Sequence, residues 1–91
     1  MIVRWSPEAA EDLDRISRRI LLDNPAAARR VANTIYKTLG SLTRSPLRGR
    51  IGRIEGTREL VFTPLPYIAV YRVREDTVEI ARVYHAAQDW P

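Results

Sequence analysis

Cysteine is absent from this chain, and histidine and lysine occur once each. Without cysteine, neither a disulfide framework nor a thiolate metal site is available. The one imidazole, His85, would leave a zinc site to be completed by carboxylates alone, so no metal and no cofactor are expected. No stretch approaches the roughly 20 apolar residues of a membrane span. The opening MIVRWSPEAAEDL lacks the apolar segment of a signal peptide, and the expectation is a cytoplasmic protein. Internal repeats and low-complexity tracts are missing too. The 91 residues form one domain, 1–91, large enough to bury about 60% of the unfolded surface around a single core.

What the chain does have is arginine. Of 15 basic residues, all but Lys37 are Arg, and the net charge is +4 with a pI near 10.1. Such a balance favours an anionic partner, either nucleic acid or an acidic protein segment. A GC-rich genome also raises arginine content, so position says more than number. Arg44, Arg48, Arg50 and Arg53 crowd into TRSPLRGRIGRIEG, with no acid until Glu55. The planar guanidinium fork makes bidentate, charge-assisted hydrogen bonds to carboxylates and phosphates.

Ile2 to Trp5 reads as a short strand. Ser6-Pro7-Glu8 begins a helix, with Ser6 as N-cap, Pro7 in the first turn and an acid beside it. Ala9, Leu13, Ile16 and Ile20 give that helix one apolar stripe. Its charges, acidic early (Glu8, Glu11, Asp12, Asp14) and basic late (Arg15, Arg18, Arg19), read as a solvated face with Glu11–Arg15 and Asp14–Arg18 pairs. Asn24-Pro25 starts a second helix along Ala28, Val31, Ile35, Thr38 and Leu42, so the spacing predicts helices over about 6–22 and 25–43, paired as a hairpin. Gly40 costs roughly 1 kcal/mol inside a helix and should fray the last turn. Pro46, Gly49, Gly52 and Gly56 mark a loop. Strands follow at Thr57–Thr63, Tyr67–Arg74 and Thr77–His85. The order β-α-α-β-β-β predicts an α+β fold, with the hairpin on one face of a small, mainly antiparallel sheet.

Period two places Arg58 with Leu60 and Phe62, and Arg72 with Ile68 and Val70. Folding about Leu65 brings Arg58 roughly opposite Arg72, a like-charge pair that is either splayed at the rim or waiting for an anion. The face of Arg82 depends on the Glu75-Asp76 turn, because a register shift of one residue reverses it. Trp90 is expected to pack the tail down.

GxRELVFxxxPYIAVYRV followed by VEIARVYHAAQDWP, together with SPEAAEDLDRI and NPAAARRV, resembles the ParE branch of the RelE/ParE toxin superfamily over essentially the whole chain. The resemblance implies the toxin of a bacterial type II toxin–antitoxin pair with a role in plasmid stabilization. Its partner would be a ParD-like antitoxin, whose N-terminal domain binds operator DNA and whose acidic-amphipathic tail wraps the toxin. RelE-like members cut mRNA on the ribosome with basic side chains and a late histidine or tyrosine, whereas ParE-like members are associated with poisoning of DNA gyrase. Here Ala86, Ala87 and Gln88 follow the last strand, and the one lysine lies on a helix. Both departures argue against RNA cleavage, and the expected action is binding to gyrase with no catalytic residue. Arg48, Arg50, Arg53, Arg58, Arg72 and Arg82 are then the candidate antitoxin or target contacts. The alternative endonuclease would use Arg58 and Arg82 on the scissile phosphate and Tyr84 or His85 for proton transfer. A third reading is a partner-binding module without toxicity.

Overall fold

Ser6 sets the first boundary of the computed structural model, which describes residues 1–91. It follows strand β1 (Ile2–Trp5) and caps helix α1 (Pro7–Asp23), its Oγ accepting the Ala9 N–H at 3.0 Å. Pro7 loses nothing there, because that N–H has no intrahelical acceptor. Asn24 caps helix α2 (Pro25–Gly40) in the same way, its Oδ1 accepting the Ala27 N–H at 3.1 Å. A single residue joins the helices, which fold back as a hairpin. The second helix stops short of the expected Thr43. Beyond Gly40 the chain tightens into a 3-10 turn, with the Ser41 and Thr43 hydroxyls donating to the Thr38 and Gly40 carbonyls at 2.6 and 2.9 Å. Hydroxyls that bond back to the preceding turn, next to a glycine, explain the stop.

The sheet has five strands: β1, β2 (Arg50–Ile51), β3 (Arg58–Val61), β4 (Tyr67–Arg74) and β5 (Thr77–His85). Their order is β1-β5-β4-β3-β2, with β1 parallel to β5 and every other pair antiparallel. The predicted α+β fold is correct, with β2 as an addition inside the segment read as loop. Two residues are too few to display an alternation, so this strand is set by its pairing with Glu59 and Arg58.

Ala9 and Leu13 of α1 and Ile35 and Leu39 of α2 meet Leu60, Phe62, Ala69, Tyr71, Val78, Ile80 and Val83 in one core. Both helices therefore cover one sheet face. The other face, called here the reverse face, holds a smaller cluster of Ile68, Val70 and Tyr84, against which Ala81 and Trp90 pack.

Two features of register differ from the sequence reading. Arg58 lies opposite Tyr71, and Arg72 lies opposite Glu79. The turn after β3 closes through Phe62 N–H to Tyr67 O at 3.1 Å, one residue away from a pairing that would join the arginines. Because the side-chain period is two, that single residue sends Arg58 to the helix face and Arg72 to the reverse face. The second feature is a β-bulge at Ala81: the pairing runs Tyr71↔Ile80 and then Val70↔Arg82. The extra residue turns Arg82 to the reverse side and brings Val83 into the helix-side core.

Candidate functional site

Asp12 lies at the centre of the site and does not belong to the solvated face that its sequence context predicts. It is 1% exposed. Its Oδ2 accepts from Arg82 Nε at 2.7 Å and from the Val83 N–H at 2.9 Å, and its Oδ1 accepts from Arg82 Nη2 at 3.0 Å. β1 ends at Trp5, so the far half of β5 has no strand on the edge away from β4. Asp12 supplies the acceptor a neighbouring strand would have offered, and Ser6 Oγ donates to the Ala81 carbonyl at 2.8 Å. The bidentate pair holds the Arg82 guanidinium above its ordinary pKa. Arg15 joins the same carboxylate at 3.3 Å, in place of the expected Glu11 pairing, whereas Asp14–Arg18 forms as predicted at 2.9 Å.

Arg82 straddles the edge of the sheet. On the reverse side its guanidinium lies 5.2 Å from the centre of the Trp90 ring, and Trp90 stacks on Tyr84 at 5.0 Å and 18°. The Trp90 carbonyl accepts from Arg53 Nη1 at 2.6 Å, so the tail is indeed packed down. Tyr84 Oη and Trp90 Nε1 are buried without partners. Burial, with Glu59 nearby, pushes the Tyr84 phenol above its usual range. Glu59 is 2% exposed. It accepts from Arg50 at 2.9 and 3.3 Å and from the Arg53 N–H at 3.0 Å. Burial alone would raise its pKa, but these donors and the Arg50 charge outweigh it and hold the carboxyl below its ordinary value.

Arg58 serves the loop. Its Nη1 donates to the Gly49 and Leu47 carbonyls at 2.8 and 3.3 Å, while Tyr71 Oη donates to Pro46 O and accepts the Gly49 N–H, both at 2.8 Å. Arg48 donates to Ser41 Oγ at 3.0 Å. The candidate arginines thus divide: Arg48 and Arg58 fasten the loop, Arg50 and Arg53 hold Glu59 and the tail, Arg82 holds α1 to β5, and Arg72 has no acid in an ion pair.

Tyr84 and His85 face opposite sides, as consecutive strand residues must. His85 is exposed, lies edge-on to Tyr67 at 5.5 Å, and accepts the Ala87 N–H on Nδ1 at 3.0 Å. It lines a groove of about 660 Å³ between α1 and the end of β5, together with Asp12, Arg15, Arg19, Tyr67, Tyr84 and Gln88. The four side chains named as a nuclease set do not converge. Arg58 is engaged at the start of β3, Arg82 is paired at the sheet edge, the Tyr84 ring is under Trp90 on the reverse face although the residue borders the groove, and the His85 side chain is in the groove. Arg15 and Arg19 are exposed, as their sequence context predicts, and their spacing from Asp12 on one helix face places them along the groove.

The sequence profile of the ParE toxin of type II toxin–antitoxin systems, parDE, matches residues 3–90. The chain belongs to the ParE toxin family. Y4kP of Sinorhizobium fredii, whose name as a toxin is provisional, is 46% identical over 89 residues, covering 98% of this chain and 92% of that protein. Toxin RelE1 of Caulobacter vibrioides is 29% identical over 84 residues, covering 91% and 90%. Among solved structures, the chromosomal ParDE system of P. aeruginosa superposes with a TM-score of 0.84 at 26% identity, over 93% of this chain and 95% of that one. The toxin–antitoxin complex RelBE2 of Mycobacterium tuberculosis gives 0.60 at 35% identity, over 92% and 95%. No helix of this ParE-family chain is long and apolar enough to cross a membrane.

Proposed function

We propose that this ParE-family toxin acts by binding, without catalysis of its own, and that its target is DNA gyrase. The observation that carries the reading is the dispersal of Arg58, Arg82, Tyr84 and His85. General acid–base chemistry needs the proton-transfer group within about 3 Å of the reacting atom and beside the group that stabilises charge. Here Arg58 and Arg82 spend their guanidinium groups on internal acceptors, and Tyr84 lies beneath an indole. The match of residues 3–90 to the ParE toxin profile supports the same branch. A ParD-like antitoxin is the proposed partner, since both solved systems are toxin–antitoxin assemblies by name.

The endonuclease alternative rests on the groove where His85 meets Arg15 and Arg19. Induced expression separates the readings. Growth arrest with loss of plasmid supercoiling and SOS induction is expected. Arrest with codon-positioned mRNA cuts and intact supercoiling would make the protein a ribosome-dependent nuclease, and absence of arrest would leave a partner-binding module.

A further inference from the structure

The reverse face of the sheet holds more positive charge than its internal pairing consumes. Two rows of side chains cross it. Arg50, Glu59, Val70 and Arg82 are successive neighbours over β2, β3, β4 and β5. Arg4, Glu79 and Arg72 are successive neighbours over β1, β5 and β4, and Arg74 lies two residues beyond Arg72. The first row is closed internally, by Arg50 on Glu59 and Asp12 on Arg82. In the second row Glu79 bonds Arg74 at 3.1 Å, with both side chains well exposed. Arg4 and Arg72 share no ion pair.

We infer that Arg4, Arg72 and Arg74 form a docking surface for the phosphodiester backbone of duplex DNA. Two strand spacings separate Arg4 from Arg72, about 10 Å, and two strand residues separate Arg72 from Arg74, about 7 Å. Strand pairing fixes the spacing of the three Cα positions, and each guanidinium reaches a phosphate from a fixed base. Apart from Ile2 at its margin, the patch exposes no large apolar side chain. A peptide would find no anchor there, whereas a partner offering regularly spaced charge would. Single-stranded nucleic acid usually stacks its bases on exposed aromatics. On this face Tyr84 and Trp90 stack on each other instead, and both are covered or half-buried. A duplex, whose bases are already stacked, needs only the arginines. The surface does not depend on gyrase being the target.

The experiment is fluorescence anisotropy of the purified toxin with a short labelled duplex, titrated over salt. Log K should fall linearly with log salt, and the triple variant Arg4→Gln/Arg72→Gln/Arg74→Gln should reduce the slope by about 2 to 3, since each phosphate contact contributes about 0.9. A control triple of equal charge on the helices, Arg18→Gln/Arg29→Gln/Arg30→Gln, should change it by less than about 1. Both triples expose the same far-ultraviolet spectrum if folded, because all six side chains lie outside the core. Equal loss in the two triples would reduce the effect to bulk charge and overturn the proposal. So would absence of duplex binding at low salt, tighter binding of a labelled single-stranded RNA, or an equal response with poly-glutamate as the probe.

Discussion

Replacing Asp12 by Asn would leave Arg82 without its charge partner and offer the Val83 N–H a weaker acceptor. The carboxylate is fully buried while Arg82 keeps 34% of its side chain in solvent, so part of the lost pairing is replaced by water. An expected cost of about 2–4 kcal/mol follows, at the lower end for a broken buried pair. Urea unfolding would measure it, and Asp14→Asn, in the exposed pair with Arg18, should change stability by less than about 1 kcal/mol. Glu59 makes a pH-dependent contribution. Its carboxyl is held below the ordinary range in the folded protein. The stabilisation is therefore complete above the unfolded value of about 4.3 and is lost as pH falls through the folded one. Glu59→Gln should lower the melting temperature at neutral pH, and the gap to the parent protein should narrow toward about pH 3. A gap that stays constant in thermal melts across that range would mean that Glu59 is not held as a charge by Arg50 and Arg53.

At the level of elements, two glycines end helices and loops for different reasons. A Cβ on Gly40 would meet nothing within 4 Å, and the residue is helical at φ −59°. Gly40→Ala should raise stability by about 0.5–1 kcal/mol by restricting the unfolded chain. Gly49 lies against Tyr71, where a Cβ would come within 2.7 Å of Oη and 2.9 Å of the Glu59 carbonyl. Gly49→Ala should destabilise by about 1–3 kcal/mol, because the ring that would have to give way is pinned on both sides. Thermal melts of the two variants should move in opposite directions. Arg58 and Tyr71 hold the same loop from below, and the arginine read as a ligand-binding group spends its hydrogen bonds on Leu47 and Gly49. A strand alternation reveals which face a side chain shares with its neighbours. It carries no information on which distant carbonyls the side chain will find.

For the whole molecule, the distinction between binding and catalysis can be tested at His85. His85→Gln keeps a hydrogen-bonding side chain of similar size and removes the imidazole. If toxicity depends on contact area and arginines, the variant should arrest growth as the parent does. A folded His85→Gln protein that still binds its antitoxin yet has lost toxicity would place proton transfer in the groove with Arg15 and Arg19, where loss of such a group costs ~10²–10⁴ in rate.

The α+β class, the caps at Ser6 and Asn24, the hairpin and the three C-terminal strands were legible in the residues, because each rests on local periodicity and capping chemistry. The motifs in PYIAVYRV and VYHAAQDWP also carried the family. The candidate site was legible only as an inventory. Arg58 and Arg72 end on opposite faces through one residue in the turn after β3. Arg82 turns outward through the bulge at Ala81, and Asp12 leaves the solvated face because β1 is too short to cover β5. Each of these is a matter of register or of an unfilled edge between segments far apart in the chain. Pairing over such distances is fixed by which buried donors find acceptors in the assembled sheet.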